Sequence, residues 1–284
     1  MPDIIKPSPV VTSVVSDRPS AIGERLRIDT DRVRGRIVDF IRQQVAAAGF
    51  QRAVIGLSGG VDSATSCFLT VEALGPENVL ALRLPYRTSS PDTLADAQAV
   101  IDLLGIRSDT VDITPMVEPL FRRFPDMDAV RRGNVMARMR MIVLYDQSAA
   151  WRALVVGTGN KTEALLGYTT LYGDAACAFN PVGDLYKTQL RQLAAALGVP
   201  QRIIEKPPSA DLWPGQTDEG ELGFTYAAVD QVLYLLFEER ASPDEVVAAG
   251  FERAFVERVL ERVQRYEFKR RLPPVARISD RQVG

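Results

Sequence analysis

The chain has 284 residues, 46% of them hydrophobic, enough to bury a sizeable core in one α/β domain. Its formal net charge of −2 gives no electrostatic footprint for nucleic acid, and no apolar run reaches membrane-spanning length. Histidine is absent, which excludes Ser-His-Asp and Cys-His catalytic units and most zinc sites; Cys67 and Cys177 are too few for a disulfide framework and fit a reducing cytoplasm.

Residues 1–21 read as a flexible tail, because they lack the apolar core of a signal peptide. Residues 31–48 carry Val33, Ile37, Phe40, Ile41 and Val45 at helical spacing, with Gly49 as the closing residue. A first strand at 53–57 leads through a glycine loop into a helix that ends near Leu74, where Gly75-Pro76 breaks it. A second strand follows at 79–84. Ser90-Pro91-Asp92 reads as a helix start, and Gly105 closes that helix. A third strand is expected at 108–113, a helix at 136–150, a fourth strand at 153–156 and a helix at 187–197. Residues 206–223 look like a long functional loop, and the last fifth of the chain is helical. Strands alternating with helices imply a doubly wound parallel sheet flanked by helices, with a helical C-terminal part. Ligands of such sheets bind at the carboxyl ends of the strands, so the loops after Leu57, Leu84, Ile113 and Gly157 share one rim.

The first of these loops is Ser58-Gly59-Gly60-Val61-Asp62-Ser63. Paired glycines let backbone N–H groups point at an oxyanion, and the helix behind adds the positive end of its dipole. Ser58 and Ser63 offer hydroxyls, and Asp62 can hold a metal that bridges phosphates. The loop is not a Walker A motif, since no lysine follows Gly60. It resembles the PP-loop of the ATP pyrophosphatases, which implies an adenine nucleotide alpha hydrolase-like fold. A Gly-Gly hairpin turn is the plainer alternative, and the helical residues 64–69 argue against it.

The second cluster is Gly157-Thr158-Gly159-Asn160-Lys161-Thr162-Glu163. Thr162 stands where a dinucleotide fingerprint needs its third glycine, so a Rossmann reading fails. Glu163 can join Asp62 around one Mg²⁺, or be a solvated carboxylate favoured by a helix start. The runs GTGNKTEALLGYTTLYGD, NPVGDLYKTQLRQLAAALGVP and KPPSADLWPGQTDEGELGFTY together resemble NAD synthetase, in its compact ammonia-dependent form. The resemblance covers residues 31–274, so that residues 22–284 are expected to form a single catalytic domain.

That resemblance implies a two-step reaction. The carboxylate of deamido-NAD attacks the α-phosphate of ATP, and ammonia displaces AMP from the acyl adenylate. ATP is thus a co-substrate and Mg²⁺ the expected cofactor. Carried over by position, the ATP site is Gly56, Leu57, Ser58, Gly59, Gly60, Val61, Asp62 and Ser63, with Thr158, Lys187 and Ser209, and Arg83 at the end of the second strand. Asp62 and Glu163 would ligate magnesium. Lys187 resembles the family's phosphate-contacting lysine, although a basic residue at a helix start is more often merely solvated. Asp174 resembles the residue that holds ammonium and accepts its proton, and its plainer reading is a turn residue after glycine. Arg138 and Lys269 match positions that hold deamido-NAD, and Tyr145 and Tyr168 are candidates to stack on its pyridine ring or to pack in the core. The family is homodimeric, with each site near the subunit interface. Free ammonia, or a separate glutaminase partner, would supply nitrogen. No nucleic acid or membrane partner is expected.

Three positions depart from the family pattern. A lysine is replaced by Leu171, an aspartate by Ala178 and a histidine by Phe268. All three fall on the deamido-NAD side, and the ATP side is intact. Two further readings therefore stay open: an amide ligase of the same fold that adenylates another carboxylate, and a nucleotide-binding protein without catalysis.

Overall fold

A computed structural model describes residues 21–209, 211, 216–276 and 278. Its sheet has four parallel strands, β1 (Ala53–Gly56), β2 (Val79–Arg83), β3 (Arg107–Thr110) and β4 (Leu154–Val156), in the order β3-β2-β1-β4. Ile55 pairs with Ala81 on one side and Val156 on the other. Alternation along the strands sends Ala53, Ile55, Val79 and Ala81 into a core shared with the helices Thr30–Ala47, Val61–Leu74 and Lys187–Leu197. Val54, Leu82 and Val155 face the opposite core, with Val117, Phe121, Met136 and Val143 from Thr114–Arg123 and Ala129–Trp151. Both faces are covered, as the near-continuous apolar runs of the central strands require. The doubly wound architecture expected from the sequence is the one observed.

The strand at 108–113 is the least regular match. β3 starts at Arg107 and ends at Thr110, and its polar, exposed residues form a sheet edge that discourages pairing with another chain. Pairing nonetheless continues, since the N–H of Val111 donates to the Arg83 carbonyl at 2.9 Å and that of Ile113 to the Pro85 carbonyl at 2.9 Å. The helix expected at 136–150 begins seven residues earlier, at Ala129, where the Asp128 carboxylate accepts from the Arg131 N–H at 2.8 Å.

The chain runs outward through β1, β2 and β3 and then returns to the far side of β1 for β4. This reversal leaves a crevice at the carboxyl ends of β1 and β4, the usual ligand position in such sheets. The helices Tyr226–Phe237, Pro243–Ala248 and Arg253–Arg265 build a third cluster around Tyr226, Val229, Val232, Phe255 and Val259. Leu166 and Tyr186 join that cluster, so the C-terminal part packs against the loops after β4. Leu26, beside the helix Ala21–Arg25, belongs to it too. The tail read at 1–21 lies outside the described residues except for Ala21, which starts that helix. The loop expected at 206–223 contains a short helix, Asp218–Leu222; residues 210 and 212–215 lie outside the described ones. Among the described residues no helix is long and apolar enough to cross a membrane.

Candidate active site

The loop after β1 is shaped by Gly59, whose φ of +76° is reached without strain by glycine alone. A Cβ there would lie 2.1 Å from the Thr93 carbonyl oxygen, so the helix Pro91–Leu104 presses directly on the loop. Ser58 and Ser63 share a hydroxyl contact of 3.0 Å, and Ser63 Oγ donates to the Gly60 carbonyl at 3.1 Å. Gly60 is the N-cap of Val61–Leu74 and supplies no side chain to cap its first amides. Those N–H groups lie at the carboxyl end of β1 with the helix dipole behind them, an arrangement suited to an anion.

The loop after β4 meets this one through Asn160, which is fully buried. Its side-chain amide donates to Asp62 Oδ1 at 2.8 Å, and its Oδ1 accepts from the Glu163 N–H at 3.0 Å. Glu163 Oε2 accepts from the Asn160 N–H at 3.1 Å, which completes a capping box on Lys161–Leu166. Lys187 closes the arrangement. Its ammonium donates to Asp62 Oδ2 and lies 3.4 Å from Glu163 Oε1. It stands 5.1 Å from the centre of the Tyr226 ring, whose hydroxyl donates to Asp218 Oδ2 at 3.0 Å. Lys187 is only 2% exposed, so the solvated reading of this lysine is excluded. Burial works against its charge, but Asp62 and Glu163 more than offset this and its pKa stands above the ordinary lysine value. Burial, then the charge of Asp62, pushes the Glu163 carboxyl up to about 8, against the pull of Lys187. Asp218 is raised too, chiefly by burial.

Beneath this cluster lies Asp230, fully buried on Tyr226–Phe237. It accepts from Thr162 Oγ1 at 2.6 Å and from the Thr188 N–H at 2.8 Å. Burial pushes its carboxyl up to about 6, with these hydrogen bonds acting in the opposite sense.

The remaining candidates gather around residues 167–174. Asp174 accepts from Thr169 Oγ1 at 2.5 Å and from the Thr170 N–H at 2.8 Å. Lys269 Nζ donates to the carbonyls of Gly167 at 2.8 Å and Thr169 at 2.6 Å, and Arg138 Nε donates to the Leu171 carbonyl at 3.2 Å. Lys269 feels the charges of both Asp174 and Arg138, so the three form one electrostatic group. Tyr168 donates to Glu221 Oε2 at 3.0 Å and packs against the C-terminal cluster, whereas Tyr145 is 40% exposed on Ala129–Trp151. Leu171 is half-buried, and Ala178 and Phe268 are exposed. Thr158 is half-buried directly after β4. Arg83 donates to Gln98 Oε1, and Ser209 Oγ accepts from the Asp211 N–H at 3.1 Å.

The family model for NAD synthase matches residues 33–273. The chain belongs to the NAD synthase family. Across 91% of its length it is 55% identical to the NH3-dependent NAD+ synthetase of Trichlorobacter lovleyi, covering 95% of that protein. It is 51% identical to the corresponding synthetase of Chlorobaculum parvum, covering 91% of this chain and 94% of that one. Among solved structures, the NH3-dependent NAD synthetase of Campylobacter jejuni superposes with a TM-score of 0.76 at 34% identity, over 88% of this chain and 100% of that one. The NMN synthetase of Francisella tularensis gives 0.78 at 32% identity, over 88% and 99%.

Within this NAD synthase, sequence reading missed Asn160, Asp218, Asp230 and Arg140. Asn160 stands in the quoted second cluster, and Asp230 is the lone acidic residue of an otherwise apolar helix face, which is a usable signal. Arg140 gave none. Its Nε donates to the Leu84 carbonyl at 2.9 Å, and the half-buried guanidinium feels the charges of Asp211 and Asp174.

Proposed function

We propose that this NAD synthase converts deamido-NAD, ammonia and ATP into NAD, AMP and pyrophosphate, and that residues 22–284 act as one catalytic unit. The observation that carries the reading is the buried Asp62–Lys187–Glu163 cluster at the mouth of the glycine loop. It places both signs of charge where a triphosphate would enter, between the carboxyl ends of β1 and β4.

Residues 56–63 receive the nucleotide, with Thr158, Ser209 and Arg83 around it. Backbone N–H groups of the glycine loop and the Lys187 ammonium stabilise negative charge that develops on the phosphates. The deamido-NAD carboxylate oxygen bonds to the α-phosphorus while the bond to the bridging oxygen breaks and pyrophosphate leaves. Ammonia then bonds to the acyl carbon, the carbon–oxygen bond to AMP breaks, and the nitrogen loses a proton. Asp174, tied into its loop by Thr169 and Thr170, holds ammonium and takes that proton in this reading. Arg138 and Lys269 hold the dinucleotide's anionic groups, and Tyr145 and Tyr168 border the acceptor side.

The donor set fits Mg²⁺. The Lys187 ammonium meets two carboxyl groups, Asp62 and Glu163, with the charge of Asp218 also felt there, so acidic groups outnumber the one cation. Among the described residues no three such side chains converge on one point, so phosphate oxygens would complete a shell begun by Asp62 and Glu163. Bound there, the ion would supply positive charge that neutralises the triphosphate. A homodimer in the cytoplasm, with the site near the subunit interface, suits this reading.

A second acceptor is favoured by two observations. Leu171, Ala178 and Phe268 leave the acceptor side less polar, and the Francisella tularensis relative is an NMN synthetase. The experiment is pyrophosphate release from ATP, Mg²⁺ and ammonium with deamido-NAD, with nicotinate mononucleotide, and with neither. Stimulation by deamido-NAD and formation of NAD are expected. Stimulation by the mononucleotide alone would move the reading to the smaller acceptor.

A further inference from the structure

We infer that Asp230 is a positioning residue, which sets the relation between Glu163 and Lys187 by tying together the helix starts that carry them. Asp230 touches neither side chain. One carboxylate oxygen accepts from Thr162 Oγ1 at 2.6 Å, and the other accepts from the Thr188 N–H at 2.8 Å. Thr162 Oγ1 in turn accepts from the Lys187 N–H at 3.0 Å. Its proton thus goes to Asp230 and a lone pair to Lys187. The three links join the second residues of Lys161–Leu166 and Lys187–Leu197 through one buried carboxylate. Glu163 follows Thr162 directly, and Lys187 precedes Thr188 directly.

The cost of burying a carboxylate on a fully covered helix face explains why its placement is informative. Leucine or valine would fill that space without a desolvation penalty, and a buried carboxylate persists only where hydrogen bonds satisfy it. Lys187–Leu197 has no acidic residue in its own first turn, so Asp230 also supplies the negative charge that this helix start lacks. Apolar core packing would use none of these three polar links.

The inference rests on the proposed reaction, and its test separates the two. Full-length wild type, Thr162→Val, Thr162→Ser and Asp230→Asn are compared by pyrophosphate release, thermal melting and calorimetric MgATP affinity. Thr162→Val keeps the shape and removes the hydroxyl. Its kcat should fall about 100-fold, the scale of an ångström-sized misplacement, with KM for deamido-NAD changed by less than about threefold. Thr162→Ser, which keeps the hydroxyl, should stay within about threefold of wild type in kcat. A folded Thr162→Val with wild-type kcat would overturn the inference, as would Thr162→Ser impaired as severely as Thr162→Val. If Asp230→Asn does not fold, the Thr162 pair decides alone. If wild type does not respond to deamido-NAD, the acceptor assignment fails instead. The positioning role is then read from MgATP affinity, which should weaken about tenfold in Thr162→Val and not in Thr162→Ser.

Discussion

Replacing Lys187 by methionine isolates the charge balance of the site. The side chain is 2% exposed and its ammonium bridges Asp62 and Glu163, which are themselves mostly covered, at 18% and 17% side-chain exposure. Removing one partner of a buried ion pair costs about 3–5 kcal/mol. Burial and the Asp62 charge push the Glu163 carboxyl up to about 8 even with the ammonium present, so near pH 7 it is largely neutral already and Asp62 is the carboxylate left without a partner; the expected cost lies at the lower end, about 3 kcal/mol. At about 2–4 °C per kcal/mol for a chain of this size, Lys187→Met should melt roughly 6–12 °C below wild type without metal. Mg²⁺ should then stabilise the variant more than wild type, because the Asp62 carboxylate has lost its counter-charge from within the protein. At a hundred times its dissociation constant the ion supplies about 2.7 kcal/mol, close to the deficit. Differential scanning calorimetry in EDTA and in excess Mg²⁺ measures both quantities, with Lys187→Met/Asp62→Asn as the control that loses the metal response. An unshifted melting temperature, or equal Mg²⁺ effects on wild type and Lys187→Met, would refute this charge balance. Pyrophosphate release should be lost in the variant whatever its stability.

Other outcomes follow from the same geometry. Gly59→Ala must adopt a left-handed backbone, at about 1–3 kcal/mol, and place a methyl against the Thr93 carbonyl. MgATP affinity measured by calorimetry should collapse in this variant while its circular dichroism stays native; wild-type affinity would show that the loop is not the nucleotide cradle. The Asp230 carboxyl stands near 6 in the folded chain against an ordinary 3.8, so the folded state binds the extra proton between those values. Its contribution to stability is therefore complete below about pH 4 and lost as pH rises through about 6. Denaturant titrations of wild type and Asp230→Asn across that range should converge in slope above it, and a contribution that grows with pH would reverse the assignment. Burial pushes the Cys67 thiol up to about 12, whereas Cys177 is half-buried with a smaller upward shift. A thiol reagent at pH 8 should modify Cys177 in the native protein and reach Cys67 only on unfolding; fast reaction of both would contradict the packing of Val61–Leu74.

The fold was legible wherever local pattern and tertiary role coincide. The apolar runs of β1 and β2, the glycine loop and the helix Lys187–Leu197 all came from local signals. Thr114–Arg123 has a weak local signal because it contains Pro115 and Pro119, although Pro115 lies in the first turn, where no N–H is needed. The residues of the two loops after β1 and β4 could be picked out by motif, but their mutual geometry could not. Lys187 looks like a solvated lysine because the partners that bury it lie 125 and 24 residues away, at Asp62 and Glu163. Asp230 acts through Thr162 and Thr188, contacts that exist only once three helices have packed. Leu171 offers its carbonyl to Arg138, a backbone contact that no side-chain motif encodes.

The adenylation step has a direct isotopic readout. Deamido-NAD carrying ¹⁸O in both oxygens of its nicotinate carboxylate is turned over with ATP, Mg²⁺ and ammonium, and the AMP is analysed by mass spectrometry. The acyl-adenylate route predicts one ¹⁸O in the AMP phosphate for each NAD formed. NAD formation with unlabelled AMP would contradict it.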